Sequence, residues 1–191
     1  HKKIPLLIEE NPRRALAKIS ACFFNAQPKT TVAITGTNGK TSVAHLTQQL
    51  WNSLEKKAAS LGTLGVCGPC NLNLNKLTTP DPVELHRLLL NLTSEGISHL
   101  ALEASSHGLD QFRLDGVDIQ AAVFTNFSRD HLDYHKDMAA YLNSKLRLFR
   151  ELLCDGGTAI SYSGAPEAAI IEAIAKRRHQ NYVSYGSVPA D

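Results

Sequence analysis

Thr35-Gly36-Thr37-Asn38-Gly39-Lys40-Thr41 brings glycines, a lysine and hydroxyls together between a short apolar run, Val32-Ala33-Ile34, and a segment of helical periodicity. A strand, a glycine-bearing turn and a helix start can together cradle phosphate. Glycine lets the backbone approach phosphate oxygens closely, and a new helix aims free N–H groups and the positive end of its dipole at them. In such a cradle Lys40 reaches the outer phosphates and the Thr41 hydroxyl can ligate Mg²⁺. The match to the general phosphate-loop pattern is incomplete, because Ile34 stands where the first glycine belongs. An ordinary strand-to-helix turn is the plain alternative; the flanking strand and helix favour the cradle.

A second chemical feature is Glu103, which ends the apolar run His99-Leu100-Ala101-Leu102. A carboxylate there can hold the Mg²⁺ that bridges nucleotide phosphates, the alternative being a solvated acid at a strand end. Ser105-Ser106-His107 follows and adds hydroxyl and imidazole groups. Asp130-His131-Leu132-Asp133-Tyr134-His135 is dense in possible ligands. A His-x-x-x-His spacing is common in structural positions, and here it lacks the glutamate of a zinc protease. Cys67-Gly68-Pro69-Cys70 has the letters of a thioredoxin-type redox site. That chemistry needs the first thiol at a helix start, whereas Asn71-Leu72-Asn73-Leu74-Asn75 reads as turn or short strand. No second ligand pair completes a zinc site, so free thiols beside a Gly-Pro turn are expected.

These residues need elements to hold them. Asn11-Pro12 opens a helix with proline at its first position. After the cradle, Val43, Leu46, Leu50 and Leu54 recur at helical spacing and predict an amphipathic helix to about Lys57. Ala58–Leu61 reads as a strand ending in Gly62. Thr78-Thr79-Pro80-Asp81-Pro82 reads as a loop whose second proline begins a helix over 83–90, ending before Gly96. Strands are predicted at 99–102, 119–125 (ending at Asn126), 158–162 and 182–185. Helices are predicted at 139–153, stopped by Asp155-Gly156-Gly157, and at 167–177. The alternation predicts an α/β fold, a mostly parallel sheet with helices on both faces and right-handed crossovers. Ligands of such sheets bind beyond the carboxyl ends of the strands, where Thr35–Thr41, Glu103–His107 and Asn126–His131 all fall.

The chain has 191 residues, enough for one domain with a substantial core. Hydrophobic residues make up 43% and charged residues 20%, a globular composition. A net charge of +2 gives no field that would recruit nucleic acid or an anionic membrane. No run reaches the roughly 18 apolar residues of a spanning helix. His1-Lys2-Lys3-Ile4-Pro5-Leu6-Leu7-Ile8 is too short for a signal peptide, so a cytoplasmic location is expected.

Taken in register, Thr35–Thr41, Leu77-Thr78-Thr79-Pro80-Asp81, Glu103-Ala104-Ser105-Ser106-His107-Gly108-Leu109 and Phe124–His135 resemble the Mur ligases, from about Lys29 to Gly186. Their order and spacing are most similar to the branch that adds the third amino acid of the peptidoglycan stem. The resemblance implies an ATP-dependent ligase that activates the terminal carboxylate of UDP-N-acetylmuramoyl-L-alanyl-D-glutamate as an acyl phosphate. The amine of meso-diaminopimelate or L-lysine then displaces the phosphate. It implies ATP contacts from Gly36, Thr37, Asn38, Gly39, Lys40, Thr41, Ser42 and Asn126. Two Mg²⁺ ions would be held by Thr41, Glu103, His131 and Lys145, the last as a carbamate formed with CO₂. Lys40, Glu103, His131 and Lys145 would be the catalytic set. Thr78, Thr79, Ser105, Gln111 and Arg113 would contact the muramyl dipeptide. A surface ion pair with Asp110 or Asp115 is the alternative for Arg113, and a solvated helix lysine the alternative for Lys145. His107 either orients substrate or packs. The resemblance further implies a tail of an N-terminal domain over 1–27 and a central ATP-binding domain over 28–191. The partners implied are the muramyl dipeptide and a free amino acid, with no nucleic acid, no membrane span, and a monomer. Two other readings stand beside it, a folylpolyglutamate synthetase and a non-catalytic nucleotide-binding module. Thr78-Thr79-Pro80-Asp81 and Ser105–Leu109 speak against the first, and the His131 cluster against the second.

Overall fold

The computed structural model describes residues 6, 8–69 and 77–186. The start of the chain, Cys70 and the Asn71–Asn75 run lie outside them. In chain order the elements are α1 (Pro12–Phe24), β1 (Thr30–Thr35), α2 (Lys40–Ser53), β2 (Ala58–Gly62), β3 (Gly65–Cys67), α3 (Pro82–Ser94), β4 (His99–Glu103), α4 (Ser106–Asp110), β5 (Ile119–Phe124), α5 (Met138–Arg147), β6 (Leu153–Tyr162), α6 (Ala168–Arg177) and β7 (Asn181–Tyr185). The seven strands form one sheet in the order β3-β2-β4-β1-β5-β6-β7. Every pairing is parallel except the β2–β3 hairpin, an antiparallel edge that the periodicity did not predict.

Local chemistry explains most helix starts. The Asn11 side chain accepts from Arg14 N, Asp81 from Val83 N and Glu84 N, Ser105 from Gly108 N, and Asp137 from Ala140 N. Each satisfies an amide that a helix start leaves without a partner. α2 begins instead at Gly39, in the left-handed region at φ 83°, with no side-chain cap. Its first-turn amides are left for another acceptor.

The sheet has an apolar layer on each face. On one, Leu85, Leu88, Leu89 and Leu92 of α3, together with Leu146, Phe149, Ile171 and Ile174, cover Ala33, Leu100, Leu102, Phe124 and Ala159. On the other, Ala44 of α2, with Val43 and Trp51, covers Ile34, Ala101 and Val123. Alternate residues of one strand thus serve opposite layers, as in a sheet buried on both sides. The α2 contact corrects the sequence expectation. The helix ends at Ser53, short of Lys57. Its leucine stripe also points outward: Leu46, Leu50 and Leu54 are 56%, 66% and 68% exposed. The expected helix at 139–153 is also divided. α5 ends at Arg147, a π-helical turn spans Leu148–Leu152, and β6 already begins at Leu153. Asp155-Gly156-Gly157 is a bulged stretch inside that strand, where the β5–β6 register shifts, and does not act as a helix stop. Among the described residues no helix is long and apolar enough to cross a membrane.

Candidate functional site

The strand register assembles the site. Ile34 lies beside Glu103 of β4 and Thr35 beside Phe124 of β5, so the loop leaving β1 emerges between the carboxyl ends of its two neighbours. Gly36 lies against β5: a Cβ there would meet Thr125 Oγ1 at 1.9 Å. Thr125 Oγ1 donates to Asn38 O at 2.6 Å, while Asn126 accepts from Asn38 N at 2.9 Å and donates to Asn38 O at 3.1 Å. Thr37 Oγ1 is held by Ser128 and by the Tyr141 hydroxyl. The loop is thereby tied down on its β5 side and open on the other.

Two lysines converge on it. Lys40 Nζ donates to Gly36 O at 3.0 Å and Thr37 O at 2.8 Å, and Lys145 Nζ donates to the same Gly36 oxygen at 2.7 Å. Lys145 is 1% exposed and lies 4.4 Å from the centre of the Tyr141 ring. Burial lowers its pKa to about 7, and the charge of Lys40 pushes the same way. Burial lowers the Lys40 pKa too, while Glu103 and Asp130 oppose the shift. A lysine near neutrality keeps an uncharged, nucleophilic amine fraction, the form that reacts with CO₂.

Glu103 is buried at 2% exposure. Its carboxylate accepts from Thr41 Oγ1 at 3.0 Å, Thr63 N at 3.0 Å and Thr63 Oγ1 at 3.2 Å. It lies over Gly62, where a Cβ would come within 2.0 Å of Oε1. Farther along, Thr79 Oγ1 donates to Glu103 O at 2.9 Å and accepts from Ser105 N at 3.1 Å. Arg113 donates to Thr79 O at 2.6 Å and, through Nε and Nη2, to Gln111 Oε1 at 3.2 and 2.7 Å. It makes no ion pair with Asp110 or Asp115; Asp115 is taken by Arg147 and Arg14. His131 adopts φ 52° and packs edge-on against His107, with ring centres 5.1 Å apart.

One cleft of about 440 Å³ collects these groups. Thr37, Asn38, Gly39, Lys40 and Thr41 line one end, and Thr78, Thr79, Ser105 and Arg113 the other, with Glu103, His131 and Lys145 also on its wall. Gly36, Gln111 and Asn126 brace the wall without lining it, and Ser42 is exposed in the first turn of α2. Leu77, Ser106 and His107, from the motifs read in the sequence, also line the cleft, as does Thr63, which was not singled out from sequence. Thr63 directly follows the glycine that ends a strand at the same sheet edge, and that signal could have found it. Among the described residues no three His, Cys, Asp or Glu side chains gather closely enough to hold a metal by themselves. That suits Mg²⁺, which takes one or two protein carboxylates and completes its shell with phosphate and water. Cys67 sits in β3, away from any helix start.

Residues 34–190 match the family model of the Mur ligase middle domain. The UDP-N-acetylmuramoyl-L-alanyl-D-glutamate–2,6-diaminopimelate ligase of Bradyrhizobium diazoefficiens is 56% identical over 158 residues, covering 83% of this chain and 33% of that protein. The ligase of the same name from Rhizobium meliloti is 51% identical over 174 residues, covering 91% and 35%. A solved structure of a ligase of this name superposes with a TM-score of 0.84 at 31% identity, over 94% of this chain and 37% of that one. The chain thus spans about a third of the length of the curated relatives it matches. On the match across the strands, loops and cleft described above, this chain belongs to the Mur ligase family, as a middle domain.

Proposed function

We propose that the chain is the ATP-binding part of a cytoplasmic ligase that joins meso-diaminopimelate to UDP-N-acetylmuramoyl-L-alanyl-D-glutamate in peptidoglycan synthesis. Residues 28–191 form the central domain of that ligase and 1–27 the end of an N-terminal domain. The observation that carries the reading is the single cleft, with a phosphate loop and two lysines at one end and a Thr–Ser–Arg cluster at the other. The names of the relatives supply the amino acid and the acceptor.

In this reading the α2 amides, Lys40 and Thr41 hold the ATP phosphates. Thr41 and Glu103 would hold one Mg²⁺, and His131 with a carbamate on Lys145 would hold a second. Bound there, Mg²⁺ would supply charge neutralisation for phosphoryl transfer. Arg113, aimed by Gln111, suits a carboxylate or phosphate of the muramyl dipeptide, because its planar fork gives paired hydrogen bonds. The dipeptide carboxylate attacks the γ-phosphorus of ATP and expels ADP, leaving an acyl phosphate; the incoming amine attacks its carbonyl carbon, loses a proton and displaces inorganic phosphate. Positioning and charge neutralisation suffice for this chemistry, and no side-chain nucleophile is needed. Carbamylation would turn the amine of Lys145 into an anion facing Lys40.

The test is phosphate release from ATP by the complete ligase polypeptide. Release that requires both the muramyl dipeptide and meso-diaminopimelate supports the reading. Release indifferent to the dipeptide, or driven by a folate, overturns it.

A further inference from the structure

Thr63 connects the two ends of the cleft. Its hydroxyl lies 3.2 Å from Glu103 Oε2 and 3.1 Å from Thr78 Oγ1. A hydroxyl has one proton, and a carboxylate only accepts. With the Thr63 proton on Glu103, the contact between Thr63 and Thr78 is donated by Thr78. In this arrangement the Thr78 proton points back along the chain of hydroxyls, away from any ligand. Glu103 Oε2 already accepts from Thr41 Oγ1, so the path runs from the phosphate loop through Glu103 and Thr63 to Thr78. The Glu103 carboxylate does not depend on the Thr63 hydroxyl for its placement, because Thr63 N holds the other oxygen at 3.0 Å.

We propose that Thr63 couples binding at the two ends of the cleft, relaying occupancy at Glu103 into the hydrogen-bonding direction of Thr78. The proposal rests on the functional reading above. With the Glu103 oxygens engaged by a cation they are poorer acceptors, and the Thr63 hydroxyl turns to donate its hydrogen bond to Thr78 Oγ1. The Thr78 proton is then free to point into the cleft, toward an anionic oxygen of the acceptor substrate. A nucleotide with its cation and an acidic acceptor therefore favour each other's binding. Coupling of this kind is reciprocal: the acceptor must tighten the nucleotide by the same factor. The signal is local. Thr63 stands exposed after the strand-end Gly62, and replacing its hydroxyl leaves the core untouched.

The experiment is calorimetric titration of UDP-N-acetylmuramoyl-L-alanyl-D-glutamate into the complete ligase polypeptide, with and without Mg²⁺ and a non-hydrolysable ATP analogue. Wild type is expected to bind the dipeptide about ten-fold tighter in the presence of the analogue, a usual size for coupled sites. In Thr63→Val the two affinities should fall within about two-fold of each other, and Thr63→Ser should restore the wild-type ratio. Thr63→Val with the ratio intact, even if both affinities drop together, assigns Thr63 a purely structural role and overturns the proposal. A wild type without any enhancement overturns it equally. A wild type that takes up no dipeptide at all overturns the functional reading and this inference with it, and that failure is recognisable because it precedes any comparison of variants.

Discussion

Lys145 and Arg147 lie two positions apart on α5, both buried, at 1% and 7% exposure, and the molecule treats them in opposite ways. Arg147 Nη2 donates to both oxygens of Asp115 at 2.8 and 2.6 Å, and Nη1 donates to Leu109 O at 2.9 Å. Its guanidinium also stacks 4.2 Å from the Phe112 ring, and the Glu151 carboxylate lies 3.2 Å from Nε. Asp115 in turn receives Arg14 of α1. Lys145 has one carbonyl, Gly36 O, and the face of Tyr141, and among the described residues no carboxylate is paired to it. A buried charge that serves structure is compensated, as Arg147 is. One left uncompensated at a cleft wall, with its pKa brought to about 7, is the pattern of a group kept for chemistry.

The comparison can be broken at either residue. Lys145→Met should lower turnover of the complete ligase by about 10³-fold, the scale for losing a charge-stabilising group in a closed site, while the melting temperature holds or rises. Equal turnover would place Lys145 with the structural cations. Arg147→Met should do the reverse at the level of the fold. It leaves the buried Asp115 with only the part-exposed Arg14 and should cost about 3 kcal/mol in denaturant unfolding. Removing both partners as Arg147→Met with Asp115→Leu should recover most of that loss, since a buried pair and its apolar replacement are often similar in stability. A double variant no better than the single would show that the pair does more than compensate charge.

A smaller effect sharpens the contrast through pH. The Lys145 pKa is lowered from its ordinary 10.5 to about 7 in the folded state. Between those values the unfolded chain binds the proton and the folded one does not, so stability gains from this residue as pH rises through that window. Below about pH 7 the full cost of burying the ammonium remains. Unfolding free energies taken at pH 7 and pH 9 should show this rise in wild type and a smaller one in Lys145→Met. Arg147→Met should keep it. The smallest expected effect concerns Lys40, whose charge is the second cause of the Lys145 shift. Lys40→Met should move the Lys145 titration upward, measured by side-chain NMR, and an unchanged titration would separate the two amines.

Much of the fold was readable in the residues, but this contrast was not: Lys145 stood out only through the family resemblance, and nothing in the sequence singled out Arg147. Gly36, Gly39 and Lys40 mark a strand–turn–helix by their own conformational needs, and Asp81-Pro82 marks a helix start. The alternation of apolar runs predicted the parallel sheet that the structure shows. Other parts depend on partners distant in sequence. The α2 stripe of Leu46, Leu50 and Leu54 reads as a core face, yet the contact with the sheet is made by Ala44 and flanking residues, because a small side chain lets the helix sit close. The divided helix at 138–152 follows from packing of Leu148 and Phe149 into the core, and periodicity carries no sign of its π turn. Arg113 was open to an ion pair with Asp110 or Asp115; only the fold shows Asp115 committed to Arg147. Thr63 carries only a weak signal in sequence, its place after the strand-ending Gly62, and its contact with Glu103 appears only when β2 and β4 are side by side.

We propose that Lys145 is an amine held near neutrality so that it can be modified within the cleft. The most direct measurement is ¹³C NMR of the protein in ¹³C-bicarbonate near pH 8. A lysine carbamate signal is expected in wild type and in Arg147→Met, and none in Lys145→Met. No such signal in wild type, with Lys145 titrating at its ordinary value, would contradict it.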